Sequence, residues 1–286
     1  MGLYDNCLND KKKLYFRNGC IILGLSIFAI ATVFPIYFML VSSFGPPVEA
    51  GANSYSLWPK KWTLDSFKFF FNYSEYSVRW LINSLIVSVT IMISNVLFAS
   101  LAGYAFSKIK FKGSNVLFYT LLCAMMIPTQ VTQVPLYILL VNVFNLQNTY
   151  SALILPGLCG VYNIFLCKQF MAGIPKEIIE CAKIEGASQP QIYMQIILPL
   201  SKTVLAVMAI TTFMDSWNAF FWPFLVTNTM SMQTIQVGLK NFSFANTTYF
   251  APMMAGATVA AVPMFILFFS LQKYFLEGVT VGAVKG

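Results

Sequence analysis

Apolar residues gather in six long runs, 20–43, 81–106, 116–143, 151–170, 203–226 and 252–276, separated by short polar segments. A bilayer's hydrocarbon core is about 30 Å thick, and a helix rising about 1.5 Å per residue crosses it in about 20 apolar residues. Each run meets that length. With 58% apolar and only 10% charged residues in 286, the chain is too apolar for a soluble domain of this size. The expected fold is all-α, a polytopic membrane protein of six transmembrane helices. Pro128 and Pro135 interrupt the third run and blur its limits.

Lysine and arginine set the orientation, because loops rich in them stay in the cytoplasm. Six crossings put both termini on one side. Of the 18 basic residues, 13 then share the side of the termini, among them Lys11, Lys12, Lys13, Arg17, Lys108, Lys110, Lys112, Lys176 and Lys183. The other side holds Lys60, Lys61, Lys68, Arg79 and Lys240. Both termini are therefore expected in the cytoplasm. The domain reading follows: a cytoplasmic tail over 1–19, a membrane domain over 20–276 containing a cytoplasmic loop at 174–199, and a cytoplasmic tail over 277–286. The net charge of +8 reports this topology and implies no nucleic-acid partner. The first apolar run exceeds the roughly 7 to 15 residues of a signal-peptide core and reads as an uncleaved span.

Several chemistries lack their residues. Histidine is absent, which removes the commonest general base and metal ligand. The aspartates Asp5, Asp10, Asp65 and Asp215 are scattered, and the six cysteines form no CxxC pair. No metal site is expected. No Gly-Lys dipeptide occurs, so the phosphate-cradling GxxxxGK[ST] loop is missing. If nucleotide energy drives this protein, another subunit binds it.

The charged loop carries local signals of two short helices. Pro175 suits a first helical turn and Glu177 complements the positive helix end. Ile178, Ile179, Cys181 and Ala182 mark an apolar face. Gly186 sits where a left-handed residue ends a helix; Ser188 and Pro190 then open a second helix, which runs through Tyr193, Ile196 and Ile197 to Pro199. An amphipathic linker on the membrane surface fits the same periodicity.

Residue identity adds a resemblance. Glu180-Cys181-Ala182, then Gly186, then Ile196, Leu198 and Pro199 resemble the EAA loop of permease subunits of binding-protein-dependent ABC importers, with Cys181 in place of the first alanine. Asn83-Ser84, Tyr104, Ile127-Pro128, Val134-Pro135-Leu136, Trp217-Asn218 and the tail from Gly282 to Gly286 are similar to the maltose and glycerol-3-phosphate type of carbohydrate importer, from about residue 20 onward. Thr203 and Ala219 depart from that pattern, where a second proline and an acidic residue are frequent. The resemblance implies the MetI-like ABC importer permease fold, and a loop that docks as a coupling helix on an ATP-hydrolysing subunit. Glu180 and Gly186 are the expected contacts. It further implies a second, homologous permease, two copies of the ATPase holding ATP and Mg, and an extracellular or periplasmic solute-binding protein. No cofactor is expected in this chain, no reaction is catalysed by it, and its place is a bacterial-type inner membrane.

Two polar groups suggest a substrate path. Asp215 lies inside the fifth run, where a carboxylate at mid-membrane costs about 2.5 to 3.5 kcal/mol, so it is expected to face the bundle or water. Asn218 and Trp222 follow at +3 and +7, so the three share one helix face. They line a sugar path, with Trp222 stacking on a ring, or they hydrogen-bond helix to helix. In the third run Thr129, Gln130 and Gln133 flank the prolines, where a broken helix borders a cavity; alternatively the glutamines satisfy carbonyls freed by proline. Uncharged amides suit a neutral oligosaccharide.

Outside the spans, Trp58, Trp62, Leu64, Phe67, Phe70 and Phe71 read as an interfacial anchor. The polar loop over 228–251 reads as a binding-protein contact or as a connector. Two rival functions remain at this point. An ion-driven secondary transporter would need ionisable relays, for which Asp215 alone speaks, and a membrane enzyme would need the missing acid clusters and histidines.

Overall fold

The computed structural model describes residues 2–47, 57–59, 61–243 and 249–283, and the side chains among them from residue 14 to residue 273. All regular elements in that range are helices. We number them α1 (Gly2–Ser43), α2 (Asp65–Asn72), α3 (Ser77–Lys108), α4 (Ser114–Met125), α5 (Thr129–Val143), α6 (Tyr150–Ile154), α7 (Val161–Ala172), α8 (Lys176–Ile184), α9 (Gln189–Leu200), α10 (Lys202–Trp217), α11 (Phe221–Val226), α12 (Ile235–Lys240) and α13 (Phe250–Ala283). Four segments are long and apolar enough to cross a membrane: Leu14–Ser43, Ser77–Lys108, Tyr150–Ala172 and Phe250–Lys273. Two bent pairs, α4 with α5 and α9 with α10, raise the number to as many as six.

The breaks fall where the backbone chemistry puts them. Pro128 has no N–H to donate and disfavours helical geometry at Ile127, so α4 closes with short-range bonds from Met126 to Cys123 and from Ile127 to Ala124. The chain restarts at Thr129 after a bend of 94°. The third run is therefore two helices at an angle. The fifth run also differs from expectation: α10 stops at Trp217, and α11 starts afresh at Phe221. Asn218 caps α10, with its N–H on the Met214 carbonyl at 3.0 Å. At the N-terminus α1 passes without a break through residues 19 and 20, and α13 continues to Ala283, while Val284, Lys285 and Gly286 lie outside the described residues.

The chain divides into two compact units, Met1–Phe70 with Phe242–Val259, and Phe71–Asn241 with Ala260–Gly286. In the first, aromatic contacts do the packing. Phe44 meets Trp62 and Phe67 with ring centroids 5.7 and 5.4 Å apart, and Phe70 lies 5.7 Å from Phe242. The Ser66 hydroxyl donates to the Gly45 carbonyl at 2.6 Å. Phe70 is wholly buried while Trp58, Trp62, Leu64 and Phe71 stay exposed, so Phe70 packs inward and is not available as part of an exposed aromatic surface. Much of the α1 surface is open: Phe28 is 71% exposed and Ile22 63%, as an apolar surface facing lipid requires.

In the second unit α3 is the central strut, packed along both α7 and α10. Its buried face is rich in small residues, Ser84, Ser88, Ser94, Ala99, Ser100 and Gly103, which let helices approach closely where no hydrophobic force separates protein from lipid. A Cβ on Gly103 would stand 2.5 Å from the Cys167 Cβ of α7. Mid-helix, Asn95 ties the layers together. Its amide nitrogen donates to the Ile91 and Gly157 carbonyls at 3.0 and 2.6 Å. Its oxygen accepts from Gly160 N at 2.7 Å and from Asn163 at 2.9 Å, and Asn163 donates on to Thr212 of α10 at 3.0 Å. Such buried polar groups are costly in an apolar core unless paired, and these are paired.

Candidate coupling surface and polar path

The loop between α7 and α10 folds as helix, turn, helix. Pro175 precedes α8 as its N-cap, and Glu177 lies in the first turn. The turn is a Schellman motif: Ala187 N–H donates to the Ala182 carbonyl at 2.9 Å and Gly186 N–H to Lys183 at 3.0 Å. Gly186 has φ of +85°, a conformation in which a Cβ costs about 1 kcal/mol or more. Ser188 then starts α9 by donating its N–H to the Gln191 side-chain oxygen at 2.8 Å. A π turn over Ile192–Ile197 lies within α9. At Ser201 the chain bends by 78° into α10.

One side of this elbow is buried. Ile179 and Ala182 of α8 and Ile192, Tyr193 and Ile197 of α9 join a cluster with Ala99 and Tyr104 of α3, Cys167 and Met171 of α7, and Met208 of α10. Hydrogen bonds fix its register. Tyr193 and Ser100 hydroxyls lie 2.6 Å apart, the Tyr104 hydroxyl donates to Gln189 at 2.6 Å, and Lys108 Nζ donates to the Ile174 carbonyl at 2.6 Å. The other side is open: Glu180, Cys181, Ile184 and Gly186 are exposed, Ile184 at 87%. The apolar face of α8 is thus narrower than its sequence suggests. Ile178 and Cys181 point outward, because only positions 179 and 182, three apart, reach the core. Of the remaining motif residues, Ile196 and Leu198 are half-buried against the cluster and Pro199 is exposed. Tyr193, Ser100, Gln189 and Lys108 have no sequence signal as partners, since the pairs are separated by 66 to 93 residues.

The polar path residues do not gather into one stripe. Asp215 is exposed near the end of α10, Asn218 caps that helix, and Trp222 sits on the separate α11. The break after Trp217 removes the shared helix face that continuous spacing predicts. Trp222 is half-buried among Val87, Ile91 and Leu153, with its indole N–H on the Ala152 carbonyl at 3.0 Å. Asn218 receives a 3.4 Å contact from Gln236 of α12. In α5, Thr129 and Gln130 are exposed and Gln133 is half-buried. Among the described residues neither glutamine donates to a backbone carbonyl, so they do not repair the bonds lost at the prolines.

At the other end of α3 a clamp forms that sequence reasoning missed. The wholly buried Trp80 donates its indole N–H to the Met230 carbonyl at 2.7 Å, and Asn83 donates to the Ser231 and Gln233 carbonyls, both at 2.9 Å. Ser84 accepts from Ile235 N at 2.8 Å, and Tyr150 donates to the Asn83 oxygen at 2.7 Å. Asn148 accepts from the amides of Asn228 and Thr229 at 2.8 and 3.1 Å. The first part of the polar 228–251 loop is therefore fixed in place and continues as α12, while 244–248 lie outside the described residues.

This arrangement has relatives. An arabinooligosaccharides transport system permease protein, AraQ of Halalkalibacterium halodurans, is 36% identical over 92% of this chain and 95% of its own length. A galactooligosaccharides transport system permease protein, GanQ of Bacillus subtilis, is 34% identical over 96% of this chain and 98% of its own. The fold is similar to that of a chain in the crystal structure of a bacterial ABC transporter that imports the acidic polysaccharide alginate. The TM-score is 0.78 at 19% identity, over 92% of this chain and 97% of that one. Residues 95–281 match the family described as binding-protein-dependent transport system inner membrane component, and with α3, α7 and α10 packed behind an exposed elbow, this chain belongs to that family.

Proposed function

We propose that this chain is the permease subunit of an ATP-driven importer of neutral oligosaccharides, coupled through the α8–α9 elbow to a separate ATPase. The observation that carries the coupling is the two-sidedness of the elbow. Its inner side is seated in the packed cluster of α3, α7 and α10, while Glu180, Ile184 and Gly186 stand free. Force applied to the free side would move the bundle helices as a body, because close-packed interiors deform little. The partners would be a second, homologous permease, two ATPase copies carrying ATP and Mg, and a solute-binding protein. Both termini and the elbow would lie in the cytoplasm, as the lysine and arginine distribution favours.

Oligosaccharide as cargo is supported by the names of the two relatives above, each more than 30% identical over nearly the whole chain. Neutral cargo is supported by the absence of Lys and Arg from the predicted span interiors. Exposed Thr129 and Gln130 and half-buried Gln133 of the broken third span, with Asp215 and Asn218, are the path residues this reading assigns. Trp222 serves better as a helix-to-helix tie, since its N–H is already engaged. The coupling test is purification with the cognate ATPase and permease. Glu180→Ala and Gly186→Val should lower binding-protein-stimulated ATP hydrolysis, and unchanged assembly and hydrolysis in both would sink the assignment.

A further inference from the structure

Beside the elbow lies a cleft of about 910 Å³ that shares Glu180 with the coupling surface but is otherwise lined by residues the coupling reading does not assign. It opens between α8 and the connection from α3 to α4, and Lys108, Lys110, Lys176 and Lys183 line it with the single carboxylate of Glu180. Lysines at this face are expected from topology alone, but their convergence is not, since Lys112 of the same connection lies outside the lining. Lys108 is held by the Ile174 carbonyl, whereas Lys110, Lys176 and Lys183 form no ion pair among the described residues. A concave wall bearing more cationic than anionic side chains concentrates positive potential and selects an anion.

The wall also indicates how the anion is carried. Val116 lines the cleft and is 73% exposed, and the apolar surface continues along α4 through Leu117 at 51% and Tyr119 at 64%. A soluble anion has no use for that surface, whereas an acyl chain does. We propose that the cleft binds the phosphate of an anionic phospholipid from the inner leaflet, with its charge met by Lys110, Lys176 and Lys183 and its chains along α4. The proposal rests on the reading that this face is cytoplasmic, and it adds a lipid input to the coupling elbow.

The test uses the full-length chain, equilibrated with vesicles of equal parts phosphatidylglycerol and phosphatidylcholine, extracted in mild detergent and weighed by native mass spectrometry. Phosphatidylglycerol should be retained in preference. Lys110→Gln with Lys183→Gln should lower its bound fraction about tenfold or more, since each surface lysine contributes about 1 kcal/mol toward an anionic membrane. Lys112→Gln should leave it unchanged. Equal retention in the double variant, with an unaltered size-exclusion profile, overturns the proposal, as does an equal loss in Lys112→Gln. Binding of inorganic phosphate with the same lysine dependence but no retained lipid would overturn the lipid source. No ATPase is present, so failure here is separate from failure of coupling. Sidedness is read independently by whether a membrane-impermeant thiol reagent reaches a lone Cys181 in intact cells.

Discussion

At the 100–108 end of α3, the elbow is held largely by apolar burial, with Ile179, Ala182, Ile192 and Ile197 in the cluster and three side-chain bonds fixing their register. At the 80–84 end, the 228–235 segment buries Met232 and Ile235 and is tied along its backbone by bonds that Trp80 and Asn83 donate to it and that Ser84 accepts from it. Apolar contact is non-directional and permits small shifts of one body on another; hydrogen bonds are directional and weaken steeply when tilted. One strut thus joins an elbow seated mainly by packing to a loop whose course is set by directional bonds. If the bundle is driven through the elbow, as proposed above, both ends would have to stay joined to α3.

The comparison is broken most directly at Trp80. Trp80→Ala removes a fully buried side chain, leaves the Met230 carbonyl without its donor and opens space beside Gly238, whose added Cβ would stand 2.3 Å from the indole. A loss of about 3 to 5 kcal/mol is expected, read as a lower midpoint of thermal unfolding of the purified chain. Tyr193→Phe at the elbow deletes only the contact to Ser100 and should cost about 1 kcal/mol. Equal losses would mean that the single hydroxyl contact at the elbow carries as much as the buried indole with its bond, and the contrast between the ends would fail.

The two ends also differed in how much of them the sequence exposes. The elbow is built from local rules, each within a few residues: Pro175 before α8, Gly186 at positive φ, and Ser188 with Gln191 opening α9. These can be read in order along the chain, and the structure agrees with the helix, turn, helix reading of 174–199. The clamp pairs residues about 150 apart, and nothing near Trp80 or Asn83 announces Met230 or Gln233. The fifth span shows the same limit from another side. Its apolar run continues past Trp217, so hydropathy sees one helix, yet the chain breaks before Phe221 and Trp222 turns to the Ala152 carbonyl. Hydropathy records where a segment is greasy, not where its helix ends. Cys181 makes the point within the motif: spacing placed it with a packed face, but only every third or fourth position of a nine-residue helix reaches the core.

A smaller effect sharpens the mechanical half of the comparison. Gly186→Val forces a branched side chain into φ of +85°, while Gly186→Asn keeps a residue that tolerates this region. The valine variant should lose about 1 to 2 kcal/mol of turn stability and uncouple ATP hydrolysis from the binding protein. The asparagine variant should retain most of both. If asparagine is as damaging as valine, the residue acts by leaving room for a partner surface, and the backbone turn is not what matters.

The smallest change tests whether the elbow's two helices are set locally. Gln191→Ala removes the side-chain oxygen that accepts from Ser188 N–H and from the Ser188 hydroxyl, both at 2.8 Å. The groups are exposed, so water replaces part of what is lost, and a cost of about 0.5 to 1 kcal/mol is expected. Amide hydrogen exchange is the suitable measurement, because a loss this small hardly moves an unfolding midpoint. Exchange should quicken at the first amides of α9, from Ser188 onward, and stay unchanged across 228–235, since no bond of the clamp involves this turn. Gln191→Glu keeps an acceptor at the same place and adds a charge that favours a helix N-terminus, so it should restore protection. Faster exchange at 228–235 in the alanine variant would mean that the cap is felt along the whole of α3, and the seat of the elbow would then be as rigid as the clamp.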